Sequence, residues 1–305
     1  MSVAAELENM LRTTFNALPA LLLAGLGGMI TAKVGLLNLG LEGMMLMSAF
    51  VAVIANFYTG SALLGLLAAV VFSTLVGFLF ALFNIRFKVN NIIVSVGINM
   101  LAVALTRYLL GALFHTSGAF TSEKIIKLPT LPLPFLRDVP ILKTLDGLSM
   151  VFWLGLLCTA VLGFIMKRTA LGLHIRATGL NDTAVNTAGI SSDRIRYLCI
   201  SLSGTLCGIA GAYLSTSYLA MFTDNMTAGR GFLGNIASIM GGRTAGGTFL
   251  GSLLFGVTDG FTMKIQTMGF PSQLIQLIPY LVAFLVVIVS ALIARKRKKT
   301  APPLK

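Results

Sequence analysis

Apolar runs recur along this chain at lengths close to the ~20 residues an α-helix needs to cross a hydrocarbon core about 30 Å thick. That recurrence, more than any single motif, restricts what the chain can become. Candidate spans fall near residues 16–32, 41–57, 62–83, 92–113, 148–167, 196–217, 231–242, 247–264 and 274–294. The expected fold is therefore an all-α polytopic membrane protein of about nine helices, one transmembrane domain over residues 1–305. Composition agrees: 56% of residues are hydrophobic and 11% charged, against roughly 25% charged in ordinary soluble domains.

A net charge of +13 in a soluble chain would point to nucleic acid. Here the Lys and Arg gather in the short connections between apolar runs, so the partner is membrane lipid and no nucleic acid is expected. Arg86 and Lys88, the block from Lys167 to Arg196, Arg243 and the tail 295–305 can share one face, which then holds 14 of the 23 basic residues. By the positive-inside rule this face is cytoplasmic, the C-terminus included. The Pro-rich loop 114–147 then lies outside. The opening residues show no basic segment leading to a small-residue cleavage site, so the first span is expected to insert without a cleaved signal peptide.

Two glycine-rich interruptions break the apolar pattern. In "GLLNLGLEG", Glu42 stands at the edge of the second span, where a carboxylate costs about 2.5–3.5 kcal/mol on insertion scales. Either Asn38 and Glu42 line a cavity beside a broken helix, or Glu42 caps the following helix or pairs with Lys33. In "TDNMTAGRGFLGNIASIMGG" the apolar part is only about a dozen residues, too short to cross, and reads as a half helix. Asn235 and Ser238, three apart on one face, and Asn99 within the fourth span are candidates for a solute pathway; each could instead hydrogen-bond a neighbouring helix.

Other polar residues carry less. Cys158, Cys199 and Cys207 lack metal-ligand spacing and read as packing residues. Arg107 and Asp259 are single and in different spans, so no proton relay is expected; His115 and His174 fall in connections and are not read as catalytic. Gly204, Gly208 and Gly211 suit close helix packing. "GGRTAGG" at 241–247 lacks the lysine of a phosphate loop and reads as a tight turn. No nucleophile with a base and no metal cluster can be assembled, so the chain is not expected to be an enzyme.

The segment "HIRATGLNDTAVNTAGI", 174–190, is too polar to cross and too organised for a turn. Asn181 can cap a helix, Asp182 sits at its positive end and Gly189 can take the left-handed stop. Such a helix is about two turns and marginal alone. Ala184 and Ala188 form a small face, with Val185 and Ile190 as apolar contacts. It either docks on a partner protein or rests on the lipid surface.

The blocks "GLLNLGLEGMMLMSAF", "LGLHIRATGLNDTAVNTAGISSDRIRYLCISLSGTLCGIAGAYL" and "MTAGRGFLGNIASIMGGRTAGGTFLGSLLFG", in this order over nearly the whole chain, resemble the permease subunits of bacterial ABC importers for branched-chain amino acids, simple sugars and nucleosides. The nucleoside subgroup, particularly for purine nucleosides, is the most similar, with ribose or another simple sugar as runner-up. The resemblance implies that 181–189 is a coupling helix, contacting an ATPase subunit through Asn181, Asp182, Ala184, Val185, Ala188, Gly189 and Ile190. It implies a second permease subunit, a paralogue forming a heterodimer, and an extracytoplasmic solute-binding lipoprotein. No cofactor is expected on this chain; ATP and Mg belong to the ATPase, since no GxxxxGK[ST] occurs here. The other class kept open is an ion-coupled secondary transporter, which would need a cluster of intramembrane acids.

Overall fold

The computed structural model describes residues 3–132, 142–266, 277–286 and 288. Long helices dominate: α1 (Val3–Lys33), α2 (Leu41–Thr59), α3 (Ala62–Ala81), α4 (Asn91–Phe114), α5 (Met150–Arg168) and α8 (Ser192–Tyr213). Helices α3 and α8 are each extended by one π-turn, Leu82–Arg86 and Leu214–Tyr218. Between α5 and α8 stand two shorter helices, α6 (Ala170–Leu180) and α7 (Asp182–Thr187), and α9 (Arg230–Met240) and α10 (Ala245–Gln266) follow.

The expectation of about nine spans is not met as stated. Six helices among the described residues are long and apolar enough to cross a membrane. Helix α9 has 11 residues, about 16 Å at 1.5 Å per residue, so its half-helix reading holds. Helix α10 has 22 residues, enough in length, but its Gly, Thr, Asp259 and Lys264 dilute its apolar character. Of the span expected at 274–294, residues 274–276, 287 and 289–294 lie outside the described residues.

Helix α1 is the core of the bundle: 89% of its most apolar window is buried, against 17% for α4 and 28% for α5. It lies against α8, α9, α10 and α5. Without a hydrophobic drive between helices in lipid, such contact depends on small residues that let backbones approach. A Cβ on Gly25 would stand 2.8 Å from the Gly234 carbonyl oxygen, and one on Gly28 would stand 2.7 Å from Asn235 Oδ1. The expected packing role of Gly204, Gly208 and Gly211 holds too: they abut Ser73 and Gly77, Val70, and Met45 with Ser48 respectively.

The 114–147 loop is more organised than its proline content implies. Strands β1 (Ala119–Phe120) and β2 (Thr130–Leu131) each pair antiparallel, β2 with β3 (Leu148–Ser149) before α5 and β1 with β4 (Phe222–Thr223) after α8. These ribbons of two residues per strand are the exception to an all-α fold. The buried Asn56 fixes the loop further, donating from Nδ2 to the Ile126 carbonyl at 2.7 Å while Oδ1 accepts from the Ile126 N–H at 3.2 Å.

Candidate functional site

Two places carry the polar chemistry of the described residues. The first is the segment between α5 and α8. Thr169 ends α5 and caps α6, its Oγ1 accepting from the Gly172 N–H at 3.2 Å. Helix α6, which sequence reasoning left inside a connection, packs on the ends of α5 and α1: added Cβ atoms on Gly172 and Gly179 would collide with the carbonyls of Ile165 and Lys33. The signal was available in Thr169 and in the two glycines seven residues apart, two turns along one face.

Asn181 closes α6 and opens α7; its Oδ1 accepts from the Ala184 N–H at 3.1 Å. Gly189 takes φ +80°, its N–H donates to the Asn186 carbonyl, and the Ile190 N–H reaches the Val185 carbonyl at 3.2 Å. Asp182 pairs with Arg196 at 3.2 Å, and Asn186 Oδ1 accepts from the Ser192 N–H at 2.9 Å, so both ends of α7 are tied to α8. The capping expected from sequence is present; the helix itself is shorter, six residues.

The apolar residues of this segment divide by direction. Val185 is only 5% exposed and Ile190 packs against the core: both face the bundle, because a helix this short needs an anchor on its own protein. Ala184 and Ala188 are exposed, and beside them Leu180 is 89% exposed. The outward face is thus Leu180, Ala184 and Ala188, and Leu180 was not singled out from the sequence.

The second place is the break between α1 and α2. Residues 36–40 are not helical, and backbone at this depth must find partners within the protein. The Leu39 N–H donates to Ser95 Oγ at 3.1 Å, and the Leu39 carbonyl accepts from Asn99 Nδ2 at 3.0 Å. Asn99 Oδ1 takes the Gly43 N–H at 2.8 Å, Asn38 Oδ1 takes the Gly40 N–H at 2.8 Å, and the Asn38 carbonyl accepts from Asn235 Nδ2 at 3.2 Å. Three asparagines named as pathway candidates therefore hold the break in shape.

Glu42 stands in the first turn of α2, where its charge meets the positive end of that helix, but it makes no capping hydrogen bond there and does not pair with Lys33. Its carboxylate accepts from the Gly229 and Gly231 N–H groups, each at 2.7 Å, at the N-terminus of the half helix α9. Two charge-assisted bonds to the positive end of a helix offset the burial of a carboxylate that is only 8% exposed. Gly231 permits this approach, since a Cβ there would lie 2.8 Å from Glu42 Oε2.

Arg230 opens α9 beside that cap. It pairs with Asp259 of α10 at 3.1 Å, with side chains 16% and 21% exposed, and its guanidinium stands 5.7 Å from the centre of the Tyr218 ring. Asp259, single by sequence, is thus paired, and Arg230 escaped sequence reasoning altogether. Arg107 has a partner as well, Asp224 at 3.5 Å, on the exposed surface. Asn235 Oδ1 and Ser238 Oγ are buried on α9 with no hydrogen-bond partner among the described residues.

The chain as a whole is similar to several permeases. A provisionally named glucose ABC transporter permease protein of Haloferax volcanii, TsgC13, is 31% identical over 274 residues, 88% of this chain and 80% of that protein. The guanosine ABC transporter permease protein NupQ of Bacillus subtilis is 30% identical over 80% of this chain and 78% of its own. The nucleoside ABC transporter permease protein NupC of Lactococcus lactis subsp. cremoris is 29% identical, with 87% of each chain covered. A solved chain of an ABC transporter described as of metal-chelate type, in an inward-facing conformation, shares the fold with a TM-score of 0.54 and 17% identity, over 91% of this chain and 85% of that one. The family model for the permease component of branched-chain amino acid transport systems matches residues 10–291, and the chain belongs to that family.

Proposed function

We propose that this permease is the translocation subunit of an ATP-driven importer in the cytoplasmic membrane and that its solute is a nucleoside. The observation that carries the reading is α7. A six-residue helix capped at both ends, anchored inward by Val185 and showing small and polar residues outward, with Leu180, Ala184 and Ala188 as its apolar part, is a rigid small surface suited to a groove on an ATPase subunit. ATP and Mg bind that partner. Movement of α7 passes to α6 and through it to the ends of α1 and α5, against which α6 is packed without clearance. A paralogous second permease subunit and an extracytoplasmic binding lipoprotein complete the importer. The 168–195 segment and the C-terminal tail lie inside and the 114–147 loop outside. The solute path runs along α9, where Asn235 Oδ1 and Ser238 Oγ hold polar capacity in reserve, while Asn38, Asn99 and Glu42 keep the broken helices in place.

The guanosine and nucleoside permeases among the relatives support the nucleoside, and the haloarchaeal relative supports a simple sugar as the second reading. Uptake of labelled guanosine by cells making the assembled importer separates them. Excess unlabelled nucleoside is expected to compete while ribose and glucose do not; competition by sugars alone transfers the assignment to a sugar. ATP depletion is expected to abolish uptake. Loss of uptake on collapsing the H⁺ or Na⁺ gradient at constant ATP would instead identify an ion-coupled carrier. Ser238→Ala tests the path without touching the Asn235–Asn38 bond that holds the break: uptake is expected to fall with membrane level and partner assembly intact, and normal uptake removes Ser238 from it.

A further inference from the structure

At the end of the bundle that carries α6 and α7, five basic residues from four elements converge on one cavity of about 680 Å³. Lys33 comes from the end of α1, Lys167 and Arg168 from the end of α5, Arg176 from α6, and Arg243 from the turn between α9 and α10. Membrane orientation alone requires only that such residues lie on one side; it gives no reason for them to share a cavity. None of the five pairs with a carboxylate among the described residues: Asp182, the nearest acid in sequence to Arg176, is held by Arg196, and the remaining ion pairs lie elsewhere. Like charges gathered this way repel one another until an anion is shared between them. The N-terminal residues of α10, Ala245 and Gly246, line the same cavity and add the positive end of a 22-residue helix.

The remaining lining indicates what kind of anion. Thr159, Ala160, Gly163 and Phe164 continue the cavity up α5, one to two turns deeper than Lys167. There it opens between two helices in contact, Gly163 facing Ala245, whose outer flanks are strongly apolar and exposed: Leu157 58%, Phe164 63% and Leu250 65%. A soluble anion has no use for that slope. A lipid does, because its phosphates sit at the helix ends while its acyl chains run down the helix flanks, and basic pockets between transmembrane helices are a known form of headgroup site.

We propose that this cavity binds an anionic phospholipid with two phosphodiesters, a cardiolipin-type headgroup, with its acyl chains along α5 and α10. Bound there, the lipid joins α1, α5, α6 and the α9–α10 turn. A smaller neighbouring cavity shares Lys33, Arg176 and Arg243 and ends at Gly179 and Leu180, so the headgroup braces the stem on which α7 stands.

Native mass spectrometry of the delipidated full chain in detergent tests this, with cardiolipin, phosphatidylcholine and inorganic pyrophosphate as probes. Cardiolipin is expected to be retained at concentrations at least tenfold below phosphatidylcholine, and pyrophosphate should not displace it. Each cation removed near a headgroup costs roughly fivefold in affinity, so Lys167→Gln, Arg176→Gln and Arg243→Gln combined should lose about a hundredfold. Lys33→Gln alone, read in parallel in case the triple variant does not fold, should lose about fivefold. Arg86→Gln with Lys88→Gln, outside the cavity, should leave binding unchanged. Equal loss in that outside pair would reduce the effect to general surface charge. Displacement by pyrophosphate would mean a soluble-anion site, unchanged retention in the cavity variants would remove the site, and loss of permease pairing with lipid retained would make this face a subunit interface; each of these outcomes overturns the proposal.

Discussion

Helices α7 and α9 both begin at a capped N-terminus, and they obtain the cap in opposite ways. In α7 it comes from Asn181, three residues from the N–H it satisfies. In α9 it comes from Glu42, which precedes Gly231 by 189 residues. The first cap stabilises one exposed turn. The second pins a half helix to the broken junction of α1 and α2, so the same local chemistry serves the tertiary structure of the whole bundle. The difference teaches that a cap's reach in the chain, more than its bond lengths, determines what fails when it is removed.

Glu42→Ala is the harshest test of that contrast. It strands two N–H groups in a buried site, at about 1–3 kcal/mol each, so the thermal unfolding midpoint of the purified chain should fall sharply; Glu42→Gln, which keeps one acceptor, should fall less. An unchanged midpoint in both would mean that the two N–H groups find other partners and that the cap is dispensable. Next in size, Arg230→Ala leaves Asp259 partly buried without its partner and should cost about 2–3 kcal/mol. The apolar pair Arg230→Met with Asp259→Leu should recover most of this, so that a double-mutant cycle is strongly non-additive; additive losses would show that the two residues act separately.

Asn181→Ala should cost only about 1 kcal/mol, and it should be seen as faster amide exchange confined to α7 with the global midpoint unmoved. Exchange rising throughout the bundle would erase the distinction between the two caps. Smallest in stability is Ala184→Arg or Ala188→Arg, at under about 0.5 kcal/mol, since both sites are exposed. Their effect falls on assembly instead: the ATPase subunit should fail to co-purify and uptake should stop with normal permease levels, because an arginine must be desolvated where a methyl group fitted. Normal co-purification and uptake in both variants would take the coupling role away from α7.

The short-range features were legible from residue order. The first six spans follow from apolar length, α9 as a half helix from its dozen apolar residues, and both ends of α7 from Asn181 and Gly189, because a hydrogen bond spanning three or four residues leaves its residue types at fixed offsets. Glycines predicted to pack did so, since only they permit backbones this close. Helix α6 was missed although its cap was local, because its eleven residues lack a long apolar run and were absorbed into a cytoplasmic connection.

What the tertiary structure decided lies beyond such offsets. Glu42 offered three local explanations, and its actual partners stand on a helix nothing in its neighbourhood identifies. Asp259 looked solitary because Arg230 is 29 residues away, and Val185 looked like a docking contact because the sequence of a two-turn helix does not say which of its sides its own bundle takes. Hydrophobicity and local hydrogen bonding act on the chain one stretch at a time, so the sequence by itself determined the six long apolar helices, the shortness of α9 and the two ends of α7. Which carboxylate meets which helix end, and which five cations share a cavity, depends on how the helices pack against α1, and that packing is a property of all of them together.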